Sequence, residues 1–315
     1  MKRAFVFPGQ GAQTVGMGRE LAGNFAAARA VFEEVDAALA QNLSRLMWEG
    51  PMEELTLTAN TQPALMACSM AAMRVLAEDF GVDVGVAAYV AGHSLGEYSA
   101  LCAAGSLPLA ETARLLRLRG EAMQRAVPVG EGAMAALLGA SLEQAEACAE
   151  AGAAPGVCQI ANDNATGQVV LSGAKAAVEA AIIAARDMGI KRAVLLPVSA
   201  PFHCALMEPA AREMAEALSD VELKAPAVPV VNNVTARPVS DPDKLKTDLV
   251  TQVTGRVRWR ESVAYMAEDG VGQFAEPGTG KVLTGMLRRI VKGVDGVALN
   301  TPAALETFAE SLKQD

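Results

Sequence analysis

The feature that most constrains the fold is the sequence Gly-His-Ser-Leu-Gly at residues 92–96, which places a serine between two glycines. The apolar residues 86–91 predict a buried strand, and residues 97–104 predict a short helix. Strand, tight turn and helix with this spacing form a nucleophile elbow, because larger side chains beside the serine would collide. We expect this elbow, with the Ser94 hydroxyl near a helix N-terminus that attracts anions. The alternative is an ordinary glycine turn with a capping serine.

Two other glycine turns resemble nucleotide-binding loops but lack their defining residues. Residues 4–7 predict a strand and residues 9–13 a glycine turn, but Thr14 replaces the third glycine of a dinucleotide fingerprint. Residues 276–281 precede another predicted helix, and Val282 stands where a P-loop needs Ser or Thr. We therefore predict no nucleotide site at either turn. The first turn can still direct backbone N–H groups at an anion.

Composition excludes several classes of function. The 315 residues are 51% hydrophobic and 20% charged, which is typical of a soluble globular protein with a large core. No apolar run is long enough for a membrane span, and the N-terminal run is too short for a signal peptide. The five cysteines lack CxxC spacing and there are two histidines, so we predict no metal site and reduced thiols in the cytoplasm. A net charge of −9 argues against nucleic acid binding.

Basic residues are concentrated in the segment 255–293. Such a segment on an acidic protein predicts an acidic macromolecular partner or a phosphorylated ligand, and scattered solvated charge is equally compatible with it. Its basic residues are Arg256, Arg258, Arg260, Lys281, Arg288, Arg289 and Lys292.

Arg119 interrupts the apolar face of the helix predicted over residues 109–126. It lies four residues after Leu115 and four before Met123, so it shares their side of the helix. A buried arginine keeps its charge and needs an anionic partner. That partner is either an internal carboxylate or the carboxylate of a substrate, which a guanidinium binds bidentately. A third interpretation places Arg119 at the edge of the stripe, with its charged end in solvent.

The middle of the chain predicts a separate subdomain with the order βαββαβ. This order is typical of a ferredoxin-like unit, with residues 162–167 as the turn of its central hairpin. We assign residues 128–198 to it, and residues 1–127 and 199–315 to a large α/β domain with a central, mostly parallel sheet. A cleft between the two units is a common place for a ligand. The predicted elements are strand 133–138, helix 141–151, strands 157–161 and 168–171, helix 174–188 and strand 192–198.

The only plausible imidazole base is His203. The other histidine, His93, lies inside the elbow, where its side chain is expected to point away from the hydroxyl of Ser94. A lone histidine is usually structural, but a serine nucleophile requires a base. We therefore predict that Ser94 and His203 meet in the fold.

With Ser94, His203, Arg119 and the sequence Phe-Pro-Gly-Gln-Gly at residues 7–11, the chain resembles the malonyl-CoA:acyl-carrier-protein transacylases of bacterial fatty acid synthesis. The likeness covers nearly the whole chain. It implies a hydrolase-like large domain with an inserted ferredoxin-like subdomain. It also implies ping-pong transfer of a malonyl group from malonyl-CoA to the phosphopantetheine thiol of acyl carrier protein, with CoA as product and no metal or redox cofactor. We expect a cytoplasmic monomer.

The resemblance also implies a role for individual residues. Ser94 corresponds to the nucleophile and His203 to the base, which the backbone carbonyl of Gln252 orients. The backbone N–H groups of Gln10 and Leu95 correspond to the oxyanion hole.

Substrate selection is assigned by the same resemblance. Arg119 corresponds to the arginine that binds the malonyl carboxylate, and Phe202 to the bulky residue that disfavours branched acyl groups. Met123 and Met134 either line the acyl pocket or are ordinary core residues. The acidic carrier protein is expected to contact Lys191, Arg192, Arg288 and Arg289.

Three alternatives remain open at this point. A related enzyme could load a different acyl group, and Arg119 is the residue that argues against it. A serine esterase or thioesterase would need an acid between Ser94 and His203 and an HGGG-type loop, which is absent. A catalytically silent carrier-binding scaffold would have no need of the serine, the histidine and the arginine together.

Overall fold

The computed structural model describes residues 1–313, which contain ten strands and fourteen α-helices. The strands are β1 Lys2–Phe7, β2 Tyr89–Gly92, β3 Gly132–Leu138, β4 Cys158–Ala165, β5 Gln168–Ala174, β6 Arg192–Leu195, β7 Val230–Val231, β8 Pro238–Val239, β9 Val271–Pro277 and β10 Asp295–Leu299. The helices are α1 Arg19–Asn24, α2 Ala26–Leu39, α3 Leu43–Glu49, α4 Met52–Thr56, α5 Thr58–Glu78, α6 Gly96–Ala103, α7 Leu109–Arg125, α8 Leu142–Gly152, α9 Lys175–Asp187, α10 Glu208–Ser219, α11 Pro242–Thr254, α12 Trp259–Glu268, α13 Val282–Met286 and α14 Pro302–Leu312. Within this part of the chain, no helix combines the length and the hydropathy needed to cross a membrane.

The main sheet has the strand order β10-β9-β1-β2-β7-β8 and is parallel except for β8. Its central strand β1 is buried from Arg3 to Phe7, as expected for a parallel strand covered on both faces. Phe7 pairs with Gly92, so the carboxyl ends of β1 and β2 lie side by side. Ligands in open α/β sheets bind at this edge, because the loops that follow the strands meet there.

The second sheet has the order β4-β5-β3-β6 and is antiparallel throughout. Helices α8 and α9 pack on it around a separate apolar core. Ser141 caps α8 with a complete capping box, as its sequence position predicts. The order βαββαβ and the strand arrangement confirm the ferredoxin-like subdomain inserted in an α/β fold. The boundaries at 127/128 and 198/199 stay a prediction.

The predicted hairpin turn at residues 162–167 is wrong for its first four residues. Strand β4 continues to Ala165 with two irregularities, which leaves a turn of only two residues. These polar residues stay in the strand because the segment around Val257 satisfies backbone hydrogen bonds of β4. Asp163 N–H donates to the Val257 carbonyl at 2.9 Å, and Val257 N–H donates to the Ala161 carbonyl at 2.8 Å. The Asp163 carboxylate also accepts two hydrogen bonds from Arg260 Nε, at 2.9 and 3.0 Å, and one from Arg260 Nη2 at 2.8 Å. These contacts join the second sheet to α12 and to the segment just before it.

Helix α5 carries a proline inside it, five residues after its start. Pro63 has no N–H, so it cannot bond the carbonyl of Ala59, four residues earlier. Arg117 Nε on α7 donates to that carbonyl at 2.8 Å instead. Gly120 lies against the same turn, since a Cβ there would be 2.6 Å from Ala59 Cα. Helix α7 is therefore attached closely to α5 on both sides of Arg119.

Several other boundaries differ from the sequence prediction. Helices α1 and α2 are separate, because Phe25 between them is extended at φ −124°. Strand β6 ends at Leu195 rather than at residue 198. Strands β8 and β10 and helix α14 were not predicted; β8 has only two residues, too few for a periodic pattern.

Candidate active site

The turn between β2 and α6 is a tight elbow that places Ser94 at the carboxyl edge of the main sheet. Ser94 has φ +54°, a left-handed conformation that is strained for a non-glycine residue. A Cβ on Gly92 would lie 1.9 Å from the Gly96 carbonyl, and one on Gly96 would lie 2.2 Å from the Phe7 carbonyl oxygen. Both glycines are therefore required by close backbone contacts, as the sequence predicts.

Asn233, at the end of β7, holds the elbow from the adjacent strand. Its Oδ1 accepts from Ser94 N–H at 2.8 Å, and its Nδ2 donates to the Gly92 carbonyl at 2.6 Å. No role for Asn233 was predicted from the sequence. The available signal was an amide side chain directly after a buried strand in a parallel sheet, where loop residues converge.

His203 lies within hydrogen-bond distance of the serine hydroxyl. Ser94 Oγ is 2.8 Å from His203 Nε2, and His203 Nδ1 is 2.9 Å from the Gln252 carbonyl oxygen. Because a carbonyl only accepts, Nδ1 carries the proton and Nε2 is free to accept from the hydroxyl. Burial, reinforced by the charge of Arg119, lowers the pKa of His203 to about 3, so the imidazole is neutral at physiological pH.

The second histidine contacts a different group. His93 Nε2 is 2.8 Å from Asn164 Oδ1 on β4, and its ring centroid is 5.9 Å from that of Trp259. Its imidazole therefore bonds across to the second sheet, and Ser94 bonds to His203.

Arg119 is 1% exposed, and its guanidinium is surrounded by neutral oxygens. Nη1 donates to Gln62 Oε1 at 2.8 Å, and Nη2 donates to Ser94 Oγ at 3.1 Å and to Gln252 Oε1 at 3.0 Å. Among residues 1–313 it forms no ion pair, and its Nε has no hydrogen-bond partner. Burial lowers its pKa, but a guanidinium starts so high that it stays charged. An internal salt bridge and an exposed edge position are therefore both wrong for Arg119.

Gln10 and Leu95 border the same cavity as Ser94. Within the described part of the chain, neither backbone N–H group donates a hydrogen bond to another residue. The side chain of Gln10 is fixed separately, since its Oε1 accepts from Thr58 Oγ1 at 3.0 Å. Two unoccupied N–H groups next to a serine hydroxyl can stabilise a negatively charged oxygen.

The cavity at Ser94 has a volume of about 180 Å³ and lies between the two sheets. Met123, Met134 and Phe202 all line it, together with Leu196 and Val198 from the segment after β6. A larger cavity of about 350 Å³ lies beside Met70 and Cys102, away from the serine and the histidine. No group of three His, Cys, Asp or Glu side chains within residues 1–313 is arranged to hold a metal ion.

The basic segment 255–293 does not form one surface. Arg256 and Arg258 share Glu261, Arg256 also lies 3.8 Å from Glu146, and Arg260 pairs with Asp163, so three carboxylates offset these three arginines. The segment's remaining cations are exposed, and the described chain gives them no ion pair: Lys281, Arg288, Arg289 and Lys292. Lys191 and Arg192, at the start of β6, are also exposed, and none of the four predicted carrier contacts lines the cavity.

Glu97 is a buried acid beside the site that the sequence analysis did not select. Its Oε2 accepts from Asn233 N–H at 2.8 Å and from Gln252 Nε2 at 3.0 Å. Burial raises its pKa to about 7. The signal in the sequence was an acidic residue inside an apolar stretch directly after the elbow.

Comparison with known sequences agrees with this geometry. The family described as acyl transferase domain matches residues 4–304. The malonyl CoA-acyl carrier protein transacylase of Escherichia coli strain K12 is 47% identical over 310 residues, which cover 98% of each chain. These matches span the elbow, the arginine and the histidine.

Solved structures give the same result for the fold. The acyl-carrier-protein S-malonyltransferase of Bartonella henselae is 55% identical, with a TM-score of 0.97 over 99% of this chain and 100% of that one. A malonyl-transacylase in complex with its type II PKS acyl-carrier protein is 43% identical, with a TM-score of 0.95 over 99% of this chain and 100% of the other. The chain belongs to the acyl transferase family and, within it, to the malonyl CoA-acyl carrier protein transacylases.

Proposed function

We propose that the chain transfers a malonyl group from malonyl-CoA to the phosphopantetheine thiol of acyl carrier protein through a malonyl ester of Ser94. The observation that carries this proposal is the position of Arg119: its buried guanidinium lies 3.1 Å from the Ser94 hydroxyl and has no carboxylate partner among residues 1–313. A charged group in that position favours an acyl group with its own carboxylate. The relatives named above support the same substrate and carrier.

Binding places the substrate's carboxylate on the guanidinium. The oxygens that Arg119 contacts without substrate belong to Gln62, Gln252 and Ser94, which are all neutral. A carboxylate forms shorter and stronger charge-assisted hydrogen bonds than these groups do. It therefore replaces some of them and frees the Ser94 hydroxyl to face the thioester carbonyl.

The chemistry follows from the hydrogen bonds at Ser94. His203 Nε2 takes the hydroxyl proton while Oγ forms a bond to the thioester carbon, and the carbonyl oxygen becomes negative beside the N–H groups of Gln10 and Leu95. The carbon–sulfur bond then breaks, and the CoA sulfur leaves with the proton from His203. In the second half, the carrier's thiol gives its proton to His203 and displaces the serine oxygen in the same way.

Transfer rather than hydrolysis requires that water be kept from the ester. The cavity is small, His203 is buried, and the base is oriented by the neutral carbonyl of Gln252 instead of a carboxylate. The carboxylate held at Arg119 fixes the acyl group so that the incoming thiol has a defined approach.

The partner and compartment belong to the same proposal. An acidic carrier protein is attracted by exposed cations, for which we retain Lys191, Arg192, Arg288 and Arg289. Since the acyl group moves from thiol to serine to thiol without redox change, the reaction needs neither a metal nor a redox cofactor. The five cysteines are free thiols, which suits a reducing compartment such as the cytoplasm.

The proposal is tested by the intact mass of the protein after brief incubation with malonyl-CoA or acetyl-CoA. We expect one malonyl adduct per chain, its absence in Ser94→Ala, and its transfer when carrier protein with a phosphopantetheine thiol is added. Release of CoA without an adduct would identify a thioester hydrolase instead. Neither adduct nor release would favour a silent carrier-binding protein.

A further inference from the structure

Glu97 is a buried carboxyl group that the proposed transfer does not use. It is 0% exposed and lies in the first turn of α6, three residues after Ser94. Its two hydrogen bonds, from Asn233 and Gln252, both end on Oε2. Its Oε1 is buried and has no hydrogen-bond partner within residues 1–313. A buried polar atom without a partner calls for an explanation, because desolvation without a compensating bond is unfavourable.

The side chain of Gln252 connects Glu97 to Arg119. Gln252 Nε2 donates to Glu97 Oε2 at 3.0 Å, and Gln252 Oε1 accepts from Arg119 Nη2 at 3.0 Å. A carboxylate only accepts and a guanidinium only donates, so the orientation of the amide is fixed. The backbone carbonyl of the same residue accepts from His203. One residue therefore links the acid, the arginine and the base.

Glu97 carries the negative charge that acts on Arg119 through space, although the two side chains form no ion pair within residues 1–313. Three titratable or charged groups act on Glu97: Arg119 from α7, Asp248 from α11 and Tyr98 from its own helix. Asp248 is already paired with Lys244. When no substrate is bound, the negative charge of Glu97 therefore balances the positive charge of Arg119, whose hydrogen bonds go to neutral oxygens.

We propose that Glu97 is the resting counter-charge of Arg119, and that this pairing sets how strongly the pocket prefers an acyl group with a carboxylate. The inference rests on the proposed malonyl transfer. When the substrate's carboxylate binds Arg119, the single positive charge of the guanidinium has to balance two negative charges. Glu97 then takes a proton from solvent on Oε1. Burial has already brought the pKa of Glu97 to about 7, so this uptake occurs near neutral pH. Glu97 is a positioning residue, since it acts through Gln252.

The test compares two acyl donors on wild type and Glu97→Gln. The variant keeps both accepted hydrogen bonds, because a single oxygen receives them, and it removes the charge. Rates of malonyl and acetyl loading of Ser94 are measured by intact mass from about pH 6 to about pH 8.5. We expect the wild-type malonyl-to-acetyl ratio to fall as pH rises, and the variant's ratio to be flat and about tenfold higher at the alkaline end. Titration of His203 affects both donors alike and cancels in the ratio.

Glu276 provides a matched control. It is also buried, burial also raises its pKa, and it accepts backbone N–H bonds from Leu283 and Thr284 at the start of α13, away from Arg119. Glu276→Gln is expected to leave the malonyl-to-acetyl ratio and its pH dependence unchanged.

A measurement on wild type alone guards against a variant that fails to fold. The heat of loading in two buffers of different ionisation enthalpy reports protons exchanged, and above pH 7 we expect about one more proton taken up with malonyl-CoA than with acetyl-CoA. Equal uptake for both donors, or a Glu97→Gln ratio with the wild-type pH dependence, would overturn the inference. Absence of a malonyl adduct on wild type would instead overturn the proposed function.

Discussion

Arg260 and Arg119 show two uses of an arginine in the same molecule. Where the second sheet meets α12, the side chain of Arg260 is 33% exposed and forms two-pronged hydrogen bonds with the carboxylate of Asp163, which is 1% exposed. On the floor of the active site, Arg119 is 1% exposed, and its hydrogen bonds go to neutral oxygens. The first guanidinium is already paired, whereas the second can accept a carboxylate.

The difference teaches how to separate structural from ligand-binding arginines. A paired guanidinium has its charge satisfied, so its removal should affect folding. A guanidinium whose hydrogen bonds go only to amide and hydroxyl oxygens can still bind a carboxylate directly, so its removal should affect substrate selection. Three predictions test this distinction, and a fourth concerns the histidine that Arg119 faces.

The largest effect is expected for Arg119→Ala. Loss of the only charge that meets the malonyl carboxylate should lower the rate of malonyl loading about a thousandfold, measured by single-turnover mass spectrometry. Acetyl loading should be retained or increased, because no acyl carboxylate is involved. Arg114→Ala, on the exposed face of the same helix, is the control and should load normally. Equal losses in the rates of malonyl and acetyl loading would contradict the assignment of Arg119 to the malonyl carboxylate.

Arg260→Ala should act on stability instead. It leaves the buried carboxylate of Asp163 without its partner, and we expect the free energy of unfolding to fall by about 2 kcal/mol, a value reduced because Arg260 is partly exposed. Denaturant unfolding measures it, and Arg260→Lys should recover part of the loss. An unchanged unfolding midpoint would show that the pair does not join the second sheet to α12.

Arg119→Lys should give a smaller effect than Arg119→Ala. Lysine keeps the positive charge, but its ammonium group cannot form the two parallel hydrogen bonds that a planar guanidinium makes with a carboxylate. Malonyl loading should therefore fall about tenfold. Preference for malonyl over acetyl should survive in weakened form. If the lysine variant behaves like the alanine variant, geometry rather than charge selects the substrate.

The smallest effect concerns pH. A base acts in its neutral form, and the pKa of His203 is lowered to about 3, so the rate of acetyl loading should stay flat from neutral pH down to about pH 5. Stability should behave differently: the unfolded chain binds a proton on this histidine below about pH 6.5 and the native chain does not, so the free energy of unfolding should decrease as pH falls. A loading rate that halves near pH 6.5 would show that the imidazole is not shielded.

Features with local patterns could be predicted from the sequence. The elbow follows from glycine spacing, since both glycines are fixed by contacts within a few residues or with the adjacent strand. The burial of Arg119 follows from helical periodicity, and the proximity of His203 to Ser94 from the scarcity of histidine. The ferredoxin-like order follows from alternating strand and helix signals.

Features that depend on distant contacts could not be predicted. Glu97 and Asn233 are 136 positions apart, and no local sequence pattern predicts the hydrogen bond between them. Residues 162–164 are good turn formers, yet backbone bonds to Val257 keep them in a strand. The arginines at 256, 258 and 260 look like a basic surface in sequence. The pairing of Arg258 with Glu261 is local, but only the fold brings Asp163 to Arg260.

Because α7 is attached closely to α5, the pocket selects acyl groups by their length. Arg117 donates to the carbonyl that Pro63 leaves free, and Gly120 lets the helices touch, so the depth of Arg119 is fixed on both sides. With Nη2 only 3.1 Å from the Ser94 hydroxyl, the carboxylate and the reacting carbonyl must be near neighbours in the acyl chain. A single carbon between them satisfies this spacing, and a longer diacid would place its carbonyl beyond the reach of the serine.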